Sequence, residues 1–137
     1  MDRYAGEERI VFDDASTTGA WTSAFITGLA KWTGKARLSV LMDTNDGATD
    51  TTNCVSLETN TAATGTFTKV LDLKPVRVGQ TNYQIYDGEF DADSLSAYTK
   101  IVVASATGTS EAVFSGTLSG FPQTRGAVAI SQLVAAT

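Results

Sequence analysis

The strongest constraint on the fold is the nearly regular alternation of apolar and polar side chains over residues 36–42. Leu38, Val40 and Met42 fall on one side of an extended chain, whereas Arg37 and Ser39 fall on the other. Successive side chains of a β-strand point to opposite faces, so this period of two is typical of a strand buried on one face. No stretch shows a comparable period of 3.6 residues over the length of a helix. The sequence therefore predicts a chain built from strands.

Further short strands are predicted along the whole chain, and turn-forming residues separate them about every 8 to 12 residues. The strand-forming runs are residues 9–12, 20–26, 36–42, 54–58, 66–73, 76–78, 83–86, 98–104, 112–118 and 127–134. This pattern predicts an all-β fold, an antiparallel β-sandwich with a jelly-roll-like pair of sheets. The length suits a single sandwich domain over residues 1–137, in which the polar residues 1–8 are expected to form an N-terminal arm.

Local signals add three finer predictions. The Asp-Gly pair at residues 46–47 predicts a tight hairpin whose returning strand is residues 54–58. The Asp-Gly pair at residues 87–88 predicts a second tight hairpin. In residues 66–73 the apolar side chains are expected to share one face, with Lys69 as the exception.

The sequence contains no histidine and only one cysteine, Cys54. Histidine is the side chain that most often transfers protons near neutral pH, and it is the commonest metal ligand. A Ser-His-Asp or Cys-His mechanism is therefore excluded, and Cys54 is expected to be a half-buried, inert thiol. We expect a protein that is not an enzyme and that holds neither a cofactor nor a metal.

The charge balance argues against polyanionic partners. The net charge is −5, and the Lys and Arg residues are scattered singly apart from those at positions 31, 35 and 37. Binding to phosphates or to an anionic membrane surface needs a basic face, which this sequence does not provide. The longest aliphatic run, residues 101–104, is also far too short to span a bilayer. We expect neither nucleic acid nor a membrane as a partner.

Four carboxylates follow one another at intervals of two residues: Asp87, Glu89, Asp91 and Asp93. On a single strand they would lie about 7 Å apart on one face, a separation that also occurs between the catalytic carboxylates of inverting glycosidases. A turn at Gly88 is expected to place them on different faces instead. The alternatives are a site that docks a cation or a Lys or Arg side chain, and a solvated row of charges.

The two tryptophans are predicted to lie in different places, one in the core and one at the surface. Trp21 shares strand parity with Phe25, which favours a place in the core of the sandwich. Trp32 lies in a segment flanked by glycines, between Lys31 and Thr33, and is the better candidate for a contact surface. If Trp32 and neighbouring tyrosines were exposed and coplanar, they would form a platform for a carbohydrate.

Five features follow one another in a recognisable order along residues 10–130. They are TTGAWTS (17–23), an alternating strand ending in TNDG (44–47), a Thr-rich return, DADSL (91–95) leading into YTKIVV (98–103), and a Gly/Ser/Thr-rich hairpin around residues 108 and 118–120. This order resembles small β-sandwich virion proteins of tailed bacteriophages, namely the auxiliary head proteins called decoration or cement proteins, and some head-fibre bases.

The resemblance implies a non-enzymatic and usually trimeric protein on the outside of a capsid lattice. Such a protein clamps neighbouring major capsid subunits, and it reaches the surface of the phage head after synthesis in the host cytoplasm. A tail-tube, neck or head-fibre subunit is the alternative within the virion. A carbohydrate-binding β-sandwich module is the alternative from another class.

The candidate partner-binding residues come from both chain ends and from the glycine-flanked segment. They are Arg3, Tyr4, Trp32, Val128, Ile130 and Leu133. Polar residues 1–8 and the small apolar residues 127–136 are suited to pairing with the sheet edge of a neighbour. The C-terminal run is expected to be a paired strand, either within the domain or across a subunit boundary.

Overall fold

A computed structural model describes residues 7–16, 20–44, 55–77, 83–104, 112–122 and 132–133. Four of the predicted partner-binding residues lie outside these ranges: Arg3, Tyr4, Val128 and Ile130. Cys54 and the predicted hairpin tip at residues 46–47 also lie outside them. The first described strand begins at Glu8, so the last residue of the predicted arm belongs to a strand.

Strands dominate the described ranges. Their bounds are β1 (Glu8–Ser16), β2 (Trp21–Thr22), β3 (Ile26–Thr27), β4 (Trp32–Thr44), β5 (Val55–Asn60), β6 (Thr68–Leu73), β7 (Pro75–Arg77), β8 (Tyr83–Asp91), β9 (Tyr98–Val103), β10 (Ala112–Pro122) and β11 (Gln132–Leu133). Two single 3₁₀ turns, Leu29–Lys31 and Ala92–Ser94, are the helical elements of the described residues. Among those residues, no helix has the length and apolar character needed to cross a membrane.

The strands form two sheets packed as a sandwich. A six-stranded sheet has the order β11-β1-β10-β4-β8-β7, and a five-stranded sheet has the order β2-β9-β5-β6 with β3 also paired to β9. All pairs are antiparallel except β1 with β11. With β2 and β3 taken as one interrupted strand, the orders β1-β10-β4-β8 and β2-β9-β5-β6 are those of the two four-stranded sheets of a jelly roll, and β7 and β11 extend the first sheet at its edges. The predicted all-β, jelly-roll-like sandwich is therefore confirmed.

Two predicted hairpins are wrong. β5 does not return beside β4; it pairs with β6 and β9 in the other sheet. β8 also runs without interruption through Gly88, which lies opposite Leu38 of β4. A Cβ at Gly88 would collide with the side chain of Leu73, so this glycine makes room for packing and does not form a turn.

The exception at Lys69 has a simple geometric cause. Leu57 of β5 lies opposite Leu71, but the next residue of β5, Glu58, lies opposite Lys69. β6 therefore has an extra residue, Val70, at a β-bulge, and the side-chain alternation changes face there. Phe67 consequently does not share the core face with Leu71 as predicted.

Trp32 does not lie at the surface as predicted. Its side chain is 0% exposed, and its indole Nε1 donates a hydrogen bond to Glu8 Oε1 at 3.0 Å. Trp32 opens β4 directly after the Leu29–Lys31 turn, and its ring packs against Gly120 of β10. It is therefore a core residue and not a surface contact.

Trp21 lies in the core as predicted. It is 4% exposed, its ring stacks on Phe12 at a centroid distance of 5.4 Å, and its Nε1 donates to Asp14 Oδ2 at 2.7 Å. Trp21 and Trp32 thus each bond a carboxylate of β1, one near each end of the strand. Both rings are therefore buried in the apolar core with their N–H groups satisfied.

Candidate assembly surface

The most unusual surface of the described residues is the outer face of the six-stranded sheet, the face that points away from the five-stranded sheet. Among the large apolar side chains of the described ranges, five are exposed, and four of these lie on this face. They are Val11 (41% exposed), Leu41 (40%), Val113 (45%) and Phe121 (46%). Large exposed apolar patches are typical of interaction sites, so this face is the candidate surface for contact with another molecule.

The strand register shows why these side chains gather on one face. Asp13, Ser115, Leu41 and Ile85 form one row across β1, β10, β4 and β8. Each row lies two residues along the strand from the next, so side chains of equal parity point to the same side. Leu41 and Val113 stand at positions where the alternation in their strands would place polar side chains. These two apolar residues were the only sign of the surface in the sequence.

The middle strand of the face carries small hydroxyl side chains. Ser115, Thr117 and Ser119 point outward from β10, between β1 and β4. Small groups beside the larger Leu41 and Ile85 leave a shallow depression of about 290 Å³. Its lining residues are Ser39, Val40, Leu41, Ile85, Ser115 and Gly116.

The opposite end of the same face is charged. Arg37 Nε donates to Asp87 Oδ1 at 2.8 Å, and Ser39 Oγ donates to the same oxygen at 2.7 Å. Lys35 Nζ lies 3.5 Å from Asp91, and Arg37 also approaches Glu89 at 4.0 Å. The cations come from β4 and the carboxylates from the neighbouring β8, so these pairs help to fix the register between the two strands.

Three of the four regularly spaced carboxylates therefore do share a face, because Gly88 does not break the strand. Asp93 lies in the 3₁₀ turn after β8 and not on the strand. The hydrogen bond from Arg37, together with that from Ser39, lowers the pKa of Asp87, and the same contact raises the pKa of Arg37. A general acid needs a raised pKa, so Asp87 is unsuited to that role. The interpretation that fits is docking of Arg and Lys side chains from the chain itself.

We expect Asp87→Asn to change the dependence of stability on pH. A carboxylate with a lowered pKa in the folded state stabilises the fold above its unfolded pKa of about 3.9, and this contribution is lost as the pH falls through the folded value. The variant should therefore be less stable than the wild type at pH 7, and the difference should shrink towards pH 3. Urea denaturation at several pH values measures this, with Asp43→Asn, an exposed carboxylate on the same face, as the control. A difference that is constant from pH 7 to pH 3 would contradict the role of the Arg37 contact.

A second, smaller cluster lies on the outside of the five-stranded sheet. Phe25 and Phe67 stack with their centroids 5.6 Å apart, Tyr98 meets Phe25 edge to face at 5.8 Å, and Lys100 Nζ lies 4.3 Å from the Phe67 centroid. Phe25 is 39% exposed, although its parity with Trp21 predicted the core.

The strand break explains the position of Phe25. β2 and β3 together form the edge strand of the five-stranded sheet, and Ser23 lies between them. The Oγ of Ser23 accepts a hydrogen bond from the N–H of Ile101 at 2.9 Å, in the place of a backbone carbonyl. Thr22 lies opposite Val102 and Ile26 opposite Thr99, so the edge strand has one residue more than β9 over this stretch. The extra residue moves Phe25 to the outer side.

The predicted partner-binding residues are not brought together in the described ranges. Trp32 is buried, and Leu133 lies in β11, where its backbone is in register with Phe12 of β1. The C-terminal run therefore contributes a short parallel strand within the domain. Val11, Leu41, Val113 and Phe121, which form the exposed apolar surface, were not among the predicted residues.

Within the described residues, no group of three Asp, Glu, Cys or His side chains is arranged to hold a metal ion. The sequence matches no known family model, and a search of curated proteins finds no significant relative.

Proposed function

We propose that this protein is a non-enzymatic structural subunit of a bacteriophage particle, a decoration protein that binds the outside of the capsid lattice and stabilises it. The observation that carries the proposal is the outer face of the six-stranded sheet. That face exposes four apolar side chains, and one of them, Leu41, borders a depression of about 290 Å³ beside small hydroxyl groups. A surface of this kind is suited to burial against another folded subunit.

The chemistry of the face supports assembly and not turnover. The carboxylates of β8 face cations of β4, and Asp87 is held ionised by Arg37. The jelly-roll order of the strands is compatible with the proposal, because this architecture occurs in viral capsid proteins, although it also occurs in lectins and cupins. The proposed function is therefore argued from the outer face of the six-stranded sheet and not from the fold.

The expected partners are the major capsid protein or other virion subunits, with the protein on the surface of the phage head. A trimer is the oligomer that the resemblance implies. When one copy of a trimer binds a lattice site, the other two copies are held at a high effective concentration near their own sites. Three contacts of modest affinity would therefore combine into strong binding. An apolar face of moderate size is sufficient for such an arrangement.

The carbohydrate-binding alternative loses Trp32 and Tyr86 from its predicted platform, while Tyr98 remains in the aromatic cluster on the outside of the five-stranded sheet. Trp32 and Tyr86 are both 0% exposed, and the hydroxyl of Tyr86 donates to Gln84 in the interior. Neither ring is available to stack on a sugar at the surface.

The proposal is tested by sedimenting the purified protein with empty heads of the phage that encodes it. The wild type should sediment with the heads, and Leu41→Asp should weaken this binding at least tenfold, because it places an unpaired carboxylate in the buried face. Thr22→Asp, at an exposed strand position of the other sheet, is the matched control and should bind like the wild type. Failure of the wild-type protein to bind heads would contradict the proposal, as would equal binding by all three proteins.

A further inference from the structure

The outer face of the six-stranded sheet carries a surplus of negative charge. Among the described residues, six carboxylates and three cations point outward from this sheet. The carboxylates are Glu7, Asp13, Asp43, Asp87, Glu89 and Asp91. Six carboxylates against three cations leave a net charge of −3 on this face, compared with −5 for the whole sequence.

The outer face of the five-stranded sheet is balanced by comparison. Its described strands point two carboxylates and two cations outward. Glu58 of β5 lies opposite Lys69 of β6 on one side and opposite Lys100 of β9 on the other. Asp72 lies 3.9 Å from Lys69. The negative surplus therefore belongs to the candidate assembly surface and not to the sandwich as a whole.

At one end of the assembly surface the chain supplies its own counter-ions. The three carboxylates of β8 lie beside Arg37 or Lys35 of β4. Glu7 lies 2.9 Å from Arg9. Four of the six carboxylates thus already have a cation from the chain itself.

The remaining two carboxylates, Asp13 and Asp43, lie at the apolar end. Both are exposed, and neither forms an ion pair with another described residue. Asp13 of β1 lies opposite Ser115 of β10, and Asp43 of β4 lies opposite Val113. The spacing of strands places their Cα atoms about 12 Å apart, on a diagonal across β10. Leu41 lies beside Ser115, so the two carboxylates border the exposed apolar groups.

We propose that the subunit that covers this face presents Arg or Lys side chains to Asp13 and Asp43. A carboxylate that is buried in an interface without a partner is costly, so a purely apolar or an acidic covering surface is disfavoured. Long basic side chains fit, because their aliphatic stems pack on apolar groups such as Leu41 and Val113 while their charged ends reach the carboxylates. This inference rests on the proposed function, because it names the chemistry of the partner that covers the assembly surface.

The same charge decides which partners are accepted. A second copy of the chain would oppose one negative face with another, and a nucleic acid would bring further negative charge. A protein subunit with an excess of Arg and Lys is attracted instead. Salt screens this attraction, since the Debye length is about 10 Å at 0.1 M ionic strength. Binding should therefore weaken as the salt concentration rises.

The first test measures the binding of the full chain to empty phage heads by sedimentation at low and high salt. The affinity of the wild type should fall at least tenfold between about 0.05 M and about 0.5 M salt. The double variant Asp13→Asn, Asp43→Asn should bind at least tenfold more weakly at low salt and depend less on salt. The matched control is Glu58→Gln, Asp93→Asn, which removes the same net charge away from this face and should bind like the wild type.

A second test uses an oligoarginine peptide as the probe and needs no phage particle. The peptide is titrated into the isotopically labelled full chain, and the backbone amide signals are followed by NMR. We expect shifts around Asp13, Ser115 and Asp43 in the wild type and their loss in the double variant. Shifts spread evenly over both sheets, or confined to the five-stranded sheet, would overturn the inference.

The two tests separate this inference from the proposed function. Heads that bind the wild type and the double variant equally overturn the basic partner and leave the proposed function standing. A wild-type chain that does not bind heads, but binds oligoarginine through Asp13 and Asp43, supports the basic complement and contradicts the proposed function.

Discussion

Gly116→Ala should destabilise the sandwich by about 3 kcal/mol or more, the upper range for overpacking a core. Gly116 lies in the middle of β10 and faces the core between Phe12 of β1 and Val40 of β4. A Cβ at this position would collide with the backbone oxygen of Ser39 and would lie 2.7 Å from Cζ of Phe12. The oxygen belongs to the backbone of a central strand, so it cannot move away without separating β4 from β10.

Chemical denaturation measures this effect, and Ser119→Ala on the same strand is the control. Ser119 points to the outer face, so its loss should change the free energy of unfolding by less than about 0.5 kcal/mol. A Gly116→Ala variant as stable as Ser119→Ala would show that β10 does not approach β1 and β4 as closely as described.

Trp32→Ala should cost about 3–5 kcal/mol, the range for removing a large aromatic side chain from a core. The ring is fully buried at the start of β4, and its Nε1 bonds Glu8 at 3.0 Å. The substitution leaves a cavity between β4 and β10 and removes the N–H group that donates a hydrogen bond to the Glu8 carboxylate. If Trp32 were instead the surface contact that the sequence predicted, the free energy of unfolding would barely change.

Two matched variants separate packing from the hydrogen bond. Trp32→Phe keeps most of the apolar volume but loses the N–H donor, so we expect a smaller cost of about 1–2 kcal/mol. Glu8→Gln keeps an acceptor oxygen and should be nearly neutral. Thermal or urea unfolding of the three variants should rank Trp32→Ala lowest. A Trp32→Ala variant that unfolds together with Glu8→Gln would contradict the core position of Trp32.

The strands with clean alternation were predictable from the sequence. In β4 the buried Leu38, Val40 and Met42 follow the pattern that predicted them, because a half-buried strand needs one apolar face. The same holds for Phe114 and Leu118 in β10. The period of two in side-chain polarity therefore predicted the positions of the strands and the all-β class.

The errors arose where a local signal had a long-range cause. Asp87-Gly88 looks like a turn, but Gly88 is small because Leu73 packs over it from the other sheet. Phe25 and Lys69 changed face because of bulges, which add one residue without changing composition. Trp32 looked exposed because glycines flank it. Gly34 takes a φ of +74° beside a register shift in β4, which lets the strand continue past Trp32.

The candidate surface was harder to predict than the core. Val11, Leu41, Val113 and Phe121 are ordinary strand residues in the sequence, and only the register across β1, β10 and β4 brings them to one face. Pairing between strands distant in sequence is a property of the tertiary structure, and a single sequence does not encode it as a local pattern. The apolar residues at polar parity, Leu41 and Val113, were the one local sign.

We propose that this sandwich joins other subunits of a virus particle through the outer face of its six-stranded sheet. The decisive test is electron cryomicroscopy of particles of the phage proposed to encode the chain. We predict density for the jelly roll on the outside of the head, with Leu41, Val113 and Phe121 buried against a neighbouring subunit. Particles that lack this density, or that carry the protein with this face turned to solvent, would overturn the proposed role of this face.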